Sequence, residues 1–182
     1  MGGVKPKKDT PESAAAEEAP THPLDVMRRE YRAMEITFRE DEDSIFTRVN
    51  LKNVEVDVIS FGQADDFAAI IIRLPVRAAP EFRAQAGEFL HRLNYATQRK
   101  FWEIDYNDGE IRLAACTDTI AGPLTEGLFH TIFHTVTITA DVTFPYLTSV
   151  LSGRMTPEFA ADQAEAAIDA FWDNVDKTEE EE

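Results

Sequence analysis

Two different spacings of apolar residues divide this chain into segments. Near the start, Leu24, Met27, Tyr31 and Met34 recur at helical spacing behind Pro23, with Arg28, Arg29 and Arg32 around the other side, which predicts a first helix. A short extended piece is expected at Ile36–Phe38. The spacing then changes to two. A two-residue turn at Lys52-Asn53 would pair Leu51 with Val54, Val49 with Val56, Thr47 with Val58 and Ile45 with Ser60, aligning a mostly β-branched face. Gly62 to Asp66 reads as a loop. Phe67 to Leu74 is a continuous apolar run, as in a strand that is internal or covered on both faces. Pro80 can open a second helix, whose Phe82, Ala86, Phe89, Leu90 and Leu93 form one stripe.

The stretch from Phe101 to Leu113 reads as a hairpin about Asp108-Gly109. A two-residue turn there prefers positive φ at both central positions. It would pair Asn107 with Glu110, Tyr106 with Ile111, Asp105 with Arg112, Ile104 with Leu113 and Trp102 with Ala115. Trp102, Ile104, Tyr106, Ile111, Leu113 and Ala115 then share a face, and a one-residue slip would scatter them.

Residues 124–151 carry two patterns at once. Val136, Ile138, Val142 and Phe144 alternate with threonines, as in a strand, while Leu128, Phe129, Ile132, Phe133, Val136, Ala140, Phe144, Leu147 and Leu151 make a helical stripe. The stripe runs for more than six turns, and that length favours a helix, kinked at Pro145 and closed at Ser152-Gly153. Thr156-Pro157-Glu158 opens a last helix, expected to bury Phe159, Ala160, Ala164, Ile168 and Phe171. No internal repeat is present at a domain-scale period.

Composition sets the organisation around these elements. Of 182 residues, 43% are hydrophobic and 12 are Phe, which suits one globular domain. Residues 1–22, rich in Pro, Ala, Glu and Lys, are expected to form a disordered arm, residues 23–172 a single α+β domain, and residues 173–182 an acidic disordered tail. The net charge of −16 lies mostly on the body and speaks against nucleic-acid or anionic-membrane binding. The lysine-bearing N-terminus has no apolar run behind it, so a cytoplasmic protein without membrane association is expected. The single cysteine, Cys116, excludes an internal disulfide, and it reads as an inert packed or half-packed thiol.

The motif set Leu93-Asn94, the aromatic and acidic strand Phe101–Tyr106, Asp108-Gly109 with Ile111-Arg112-Leu113, Pro123-Leu124, and Tyr146-Leu147 through Val150, Gly153 and Pro157-Glu158 resembles the YbjN domain family over about residues 24–172. The resemblance implies an antiparallel sheet with helices packed against it, type III secretion chaperone-like, in the order α-β-β-β-α-β-β-α-α. It implies a helical Leu124–Leu151, from which this chain departs in its thread of threonines between Thr131 and Thr143. Family members are described as sensory-transduction regulators or chaperone-like proteins, so no catalytic residue comes with the resemblance.

Candidate chemistry is sparse. His130 and His134 stand at i, i+4, the spacing that puts two imidazoles on one helix face, as zinc requires. Thr131 occupies the place of a zinc hydrolase's glutamate, and a third ligand would have to come from His91 or a carboxylate such as Asp141. Asp65-Asp66 and Glu40-Asp41-Glu42-Asp43 lack the alternation of a calcium loop. No phosphate-binding glycine motif occurs. No catalytic, cofactor or metal residue is therefore assigned, and no cofactor is expected. The expected function is non-enzymatic: a protein-binding, chaperone-like or regulatory module that engages a polypeptide partner, by strand addition or by an apolar groove, with a homodimer as one form. The alternative is a metal-binding protein or metal-dependent enzyme built on His130 and His134.

Overall fold

The computed structural model describes residues 22–64, 66–96 and 100–179. The expected N-terminal arm, apart from His22, and the last three residues of the acidic tail lie outside them, as does Asp65. Among the described residues, six strands form one antiparallel sheet in the order β1-β2-β3-β4-β6-β5. They are β1 (Phe38–Glu40), β2 (Ser44–Asn50), β3 (Glu55–Gln63), β4 (Phe67–Arg77), β5 (Lys100–Ile104) and β6 (Glu110–Asp118). Four α-helices accompany them: α1 (Pro23–Ala33), α2 (Arg83–Ala96, after a 3-10 turn at Pro80–Phe82), α3 (Glu126–Leu151) and α4 (Pro157–Glu179). The chain is thus α+β, with one short edge strand, β1, beyond the expected order.

Strand alternation places the core. Ile45 and Thr47 of β2, Val56, Val58 and Ser60 of β3, Ala68, Ile70, Ile72 and Leu74 of β4, Ile111, Leu113 and Ala115 of β6 and Trp102 of β5 are buried beneath the helices. Among the described residues, no helix packs on the opposite face. β4 is internal, as expected, but it is covered on one side only: Phe67 and Ile71 are half-buried and Arg73 is exposed.

Tyr31 ties α1 to this core. Its ring meets Phe129 and Phe133 of α3 edge-on, with centroids 5.3 and 5.7 Å apart, and its hydroxyl lies 2.6 Å from Ser60 Oγ. The hydroxyl of a buried serine on a strand would be costly without such a partner.

The β2–β3 hairpin has the expected register, with Ile45 opposite Ser60, Thr47 opposite Val58 and Val49 opposite Val56. The β5–β6 hairpin is shifted by two. Ile104 faces Ile111, Trp102 faces Leu113, and Arg112 faces Glu103 rather than Asp105. The turn is longer than two residues: Gly109 N–H donates to the Asp105 carbonyl and Asp105 N–H to the Glu110 carbonyl, and only Gly109 of the Asp-Gly pair takes positive φ, at 79°. Asp105 and Asp108 instead accept hydrogen bonds from the backbone N–H groups of Asn107 and Glu110. An even shift preserves the apolar face, except that Tyr106 moves into the loop, 58% exposed, and lies across Gly87 of α2. Gly109 fits tightly against β4's end, since a Cβ there would sit 2.1 Å from the Ala78 carbonyl oxygen.

The threonine-rich segment is one helix. Thr131 and Thr137 donate to the carbonyls of Gly127 and Phe133, four residues back, so the hydroxyls are absorbed by the helix rather than competing with it. Pro145 has no N–H to give the Asp141 carbonyl. Asn53 of the β2–β3 turn fills that place: its Nδ2 donates to the Asp141 carbonyl at 3.2 Å, and its backbone N–H donates to Asp141 Oδ1 at 2.6 Å. The proline that interrupts α3 thereby docks the hairpin onto it.

α4 corrects two expectations. It buries Ala160, Ala161 and Ala164 against α2 and α3, while Phe159 and Phe171 are exposed, because close approach of three helices favours the small residues. It also continues through 173–179, where the acidic tail was expected to start, with Val175 half-buried after Phe171 and Trp172 and no helix breaker among them.

Burial pushes the Tyr31 hydroxyl up from 10.0 to about 12, with the Ser60 hydrogen bond partly offsetting it. A group whose folded pKa is raised contributes stability that is complete below its unfolded pKa and lost as pH rises through the folded one. Stability is therefore expected to fall between pH 10 and about 12 on this account. Ultraviolet difference absorbance should show a tyrosinate step near pH 12 that Tyr31→Phe removes. A Tyr31→Phe variant whose absorbance titration matches that of the parent near pH 12 would contradict it.

Candidate functional site

The open face of the sheet presents ordered rows. Residues directly opposite one another on paired strands share a face, so the registers can be read across. Phe46 faces Ile59, Ile59 faces Ile71, Ile71 faces Ala114, and Ala114 faces Phe101. This is one apolar row over five strands, roughly 19 Å long at about 4.8 Å per strand. On one side Phe61, Ala69 and Cys116 continue it, with the Phe61 and Phe67 rings edge to face at 5.7 Å. Phe101, at its end, is 51% exposed.

A charged row borders the other side. Arg48 faces Asp57, Asp57 faces Arg73, Arg73 faces Arg112, and Arg112 faces Glu103. Arg48 and Arg73 both hold the Asp57 carboxylate, at 2.8 and 2.9 Å, and Arg112 pairs with Glu103. The Arg73 guanidinium first, then Arg48, keeps the Asp57 carboxyl below its ordinary range. Arg48 also meets Glu55 at 3.6 Å, and the two guanidiniums carry more N–H donors than these carboxylates take up. Arg39 stacks over the Phe46 ring at 5.0 Å, and Phe38, Arg39, Phe46, Arg48, Ile59 and Arg73 line a hollow of about 570 Å³ at this corner.

The sheet edges are less inviting. On β5, the outward backbone of Trp102 is already occupied: its N–H donates to Asn94 Oδ1 at 2.7 Å, and its carbonyl accepts from Asn94 Nδ2 at 2.8 Å. The α2 asparagine thus imitates a neighbouring strand. The opposite edge, β1, is three residues long. Strand addition, one of the two expected docking modes, has little free edge on β5.

The expected metal candidates separate. The His130 and His134 rings stack at 5.9 Å, but Asp141 is engaged by Asn53, and His91 lies elsewhere, in a hollow between α2 and α4. His130 instead faces Glu30 of α1, with Nε2 and Oε2 3.2 Å apart. Cys116 is exposed on the open face rather than packed, and partial burial, Asp118 and Asp66 push its thiol up, away from thiolate chemistry.

Sequence reasoning missed the apolar row because it sought one apolar face per hairpin. The signal was present: with the Lys52-Asn53 register, Phe46 must oppose Ile59, on the face that should be polar. Glu30 gave a comparable signal, an acid inside the stripe of Met27, Tyr31 and Met34.

No family model matches the chain, and no curated protein matches it. Among solved structures it is similar to the crystal structure of YbjN from E. coli, described as a proposed transcription regulator. The two share 13% identity at a TM-score of 0.49, over 71% of this chain and 89% of that one.

If Asn94 shields the β5 edge, Asn94→Ala should cost about 1 kcal/mol in urea unfolding. It should also make the protein self-associate, as read by light scattering against concentration. An unchanged monomer–oligomer balance in a folded variant would show that the edge needs no cover.

Proposed function

We propose that this chain is a non-enzymatic, chaperone-like or regulatory module that binds an amphipathic, acid-flanked segment of another protein across the open face of its sheet. The apolar row from Phe46 to Phe101 is the observation that carries this reading. A monomer seldom leaves an apolar stripe crossing five strands, bordered by ordered charge, without a partner for it. A helix about 13 residues long matches the row's length at 1.5 Å per residue. Its flanking carboxylates would meet the spare donors of Arg48 and Arg73 and the Arg39 guanidinium.

The whole chain, at −16, favours basic ligands at a distance. Screening at physiological salt confines that field to about 8 Å, so the face's own arginines decide the contact.

The test uses two synthetic helices with the same apolar face, one flanked by glutamates and one by lysines, followed by fluorescence anisotropy. The glutamate helix should bind at micromolar affinity and the lysine helix about tenfold more weakly, a difference of about 1.4 kcal/mol. Phe101→Glu, at an exposed position, and Ile71→Lys should abolish binding while far-UV circular dichroism is unchanged. Equal binding of both helices, or binding that survives both substitutions, defeats the proposal. A dimer that these substitutions dissociate would assign the face to a second copy instead.

A further inference from the structure

The helical layer, on the other side of the sheet from the apolar row, carries a second constellation that sequence spacing does not show. Glu30 of α1 and Glu126 and His130 of α3 bring two carboxylate oxygens and an imidazole nitrogen within 4.8 Å of one another. We propose that these three side chains form a zinc site that clasps α1 to the first turns of α3, independently of whatever binds the sheet.

Glu30 makes the case specific. Its side chain is 4% exposed, on a stripe otherwise made of apolar residues. A buried carboxylate must be compensated. Oε1 accepts from Arg29 Nε at 2.8 Å, while Oε2 faces His130 Nε2 at 3.2 Å. That spacing serves a hydrogen bond, and it also serves coordination: at metal bond lengths of about 2.0–2.2 Å, two ligands of a tetrahedral ion lie roughly 3.3–3.5 Å apart. The distal oxygen and the imidazole nitrogen therefore stand where two corners of a zinc polyhedron would fall, without rearrangement of the buried side chain.

Glu126 supplies the third corner. It stands at the first position of α3, where the Thr125 hydroxyl caps the helix by accepting from Leu128 N–H. It is exposed and one helical turn before His130, so its carboxylate can reach the other two by a change of rotamer. The Phe129 ring meets the imidazole edge to face, with centroids 5.6 Å apart. Two carboxylates offset a divalent charge beside a neutral imidazole, with the Arg29 guanidinium on Glu30 Oε1 leaving the cluster one positive charge in excess. An imidazole in the set selects zinc over calcium or magnesium, which prefer oxygen alone. Water completes the coordination from the exposed side.

The test is titration of chelator-stripped full-length protein with zinc chloride, read by calorimetry and by thermal unfolding, with cobalt as a visible-absorbance probe. One zinc per chain should bind at micromolar affinity or tighter and raise the melting temperature, and cobalt should give the ligand-field band of a four- or five-coordinate site. Glu126→Gln, at an exposed position that the fold does not need, should weaken binding about tenfold or more. His134→Ala should leave it unchanged. Absence of saturable binding overturns the proposal, as does binding indifferent to Glu126→Gln. Loss of binding in His134→Ala equal to that in Glu126→Gln would return the metal to the i, i+4 histidine pair and equally defeat the assignment. Should Glu30→Gln unfold the chain, the Glu126 and His134 variants still decide the matter.

Discussion

Among the described residues the sheet is covered on one side only, and everything else in the molecule follows from that. A strand's side chains alternate, so each residue of β2 to β6 is committed by parity either to the core or to the open face. On the core side, the burial of Val58, Ile70, Ile72, Ile111 and Leu113 under α1 and α3 supplies the cohesion of the fold. On the open side the same backbone sets Phe46, Ile59, Ile71 and Phe101 beside their cross-strand neighbours, with no described helix over them. A chain that merely needed solubility would place threonine, lysine or glutamate at those positions.

Parity also explains how much of the fold was legible in the sequence. The β2–β3 hairpin is readable residue by residue because Ser60 and the valines admit one register. The β5–β6 hairpin is readable as to face and not as to pairing, since a shift by two moves no side chain through the sheet. What separates the two registers is the loop, where Asp105 and Asp108 bond to backbone N–H groups and lengthen the turn. α3 was the harder case. Its threonines have a strand's composition, and only sustained helical period outweighs them, with the Thr131 and Thr137 hydroxyls folded back onto carbonyls four residues away and those of Thr139 and Thr143 buried without a partner. On α4 the burial of Ala160 and Ala164 was legible, but the exposure of Phe159 and Phe171 was not, because it depends on how closely α2 and α3 approach.

Candidate sites were less legible for a different reason. Spacing along one helix reports neighbours on that helix, so His130 and His134 stood out. The contact that constrains His130 comes from Glu30, one hundred residues away. A charged residue inside an apolar stripe is the local trace of such a partner, and Glu30 shows it. Similarly, Asn53 looks like an ordinary turn residue until Pro145 leaves the Asp141 carbonyl without a donor.

These long-range polar contacts have a common placement. Tyr31 to Ser60, Asn53 to Asp141, Asn94 to Trp102 and Glu30 to His130 each join a helix to the sheet or to another helix, at points where backbone or burial leaves a polar group in need of a partner. Hydrophobic burial does not by itself choose one orientation of a helix on a flat apolar surface. Directional bonds at the perimeter do, since a misplaced helix strands a buried donor or acceptor. The helical layer is therefore pinned at several separate points, while the charged row of the open face is held by exposed ion pairs that water can screen. A partner arriving on that face exchanges solvated charge for contact without disturbing the pins, which is how a rigid sheet can serve as a docking surface and keep its fold.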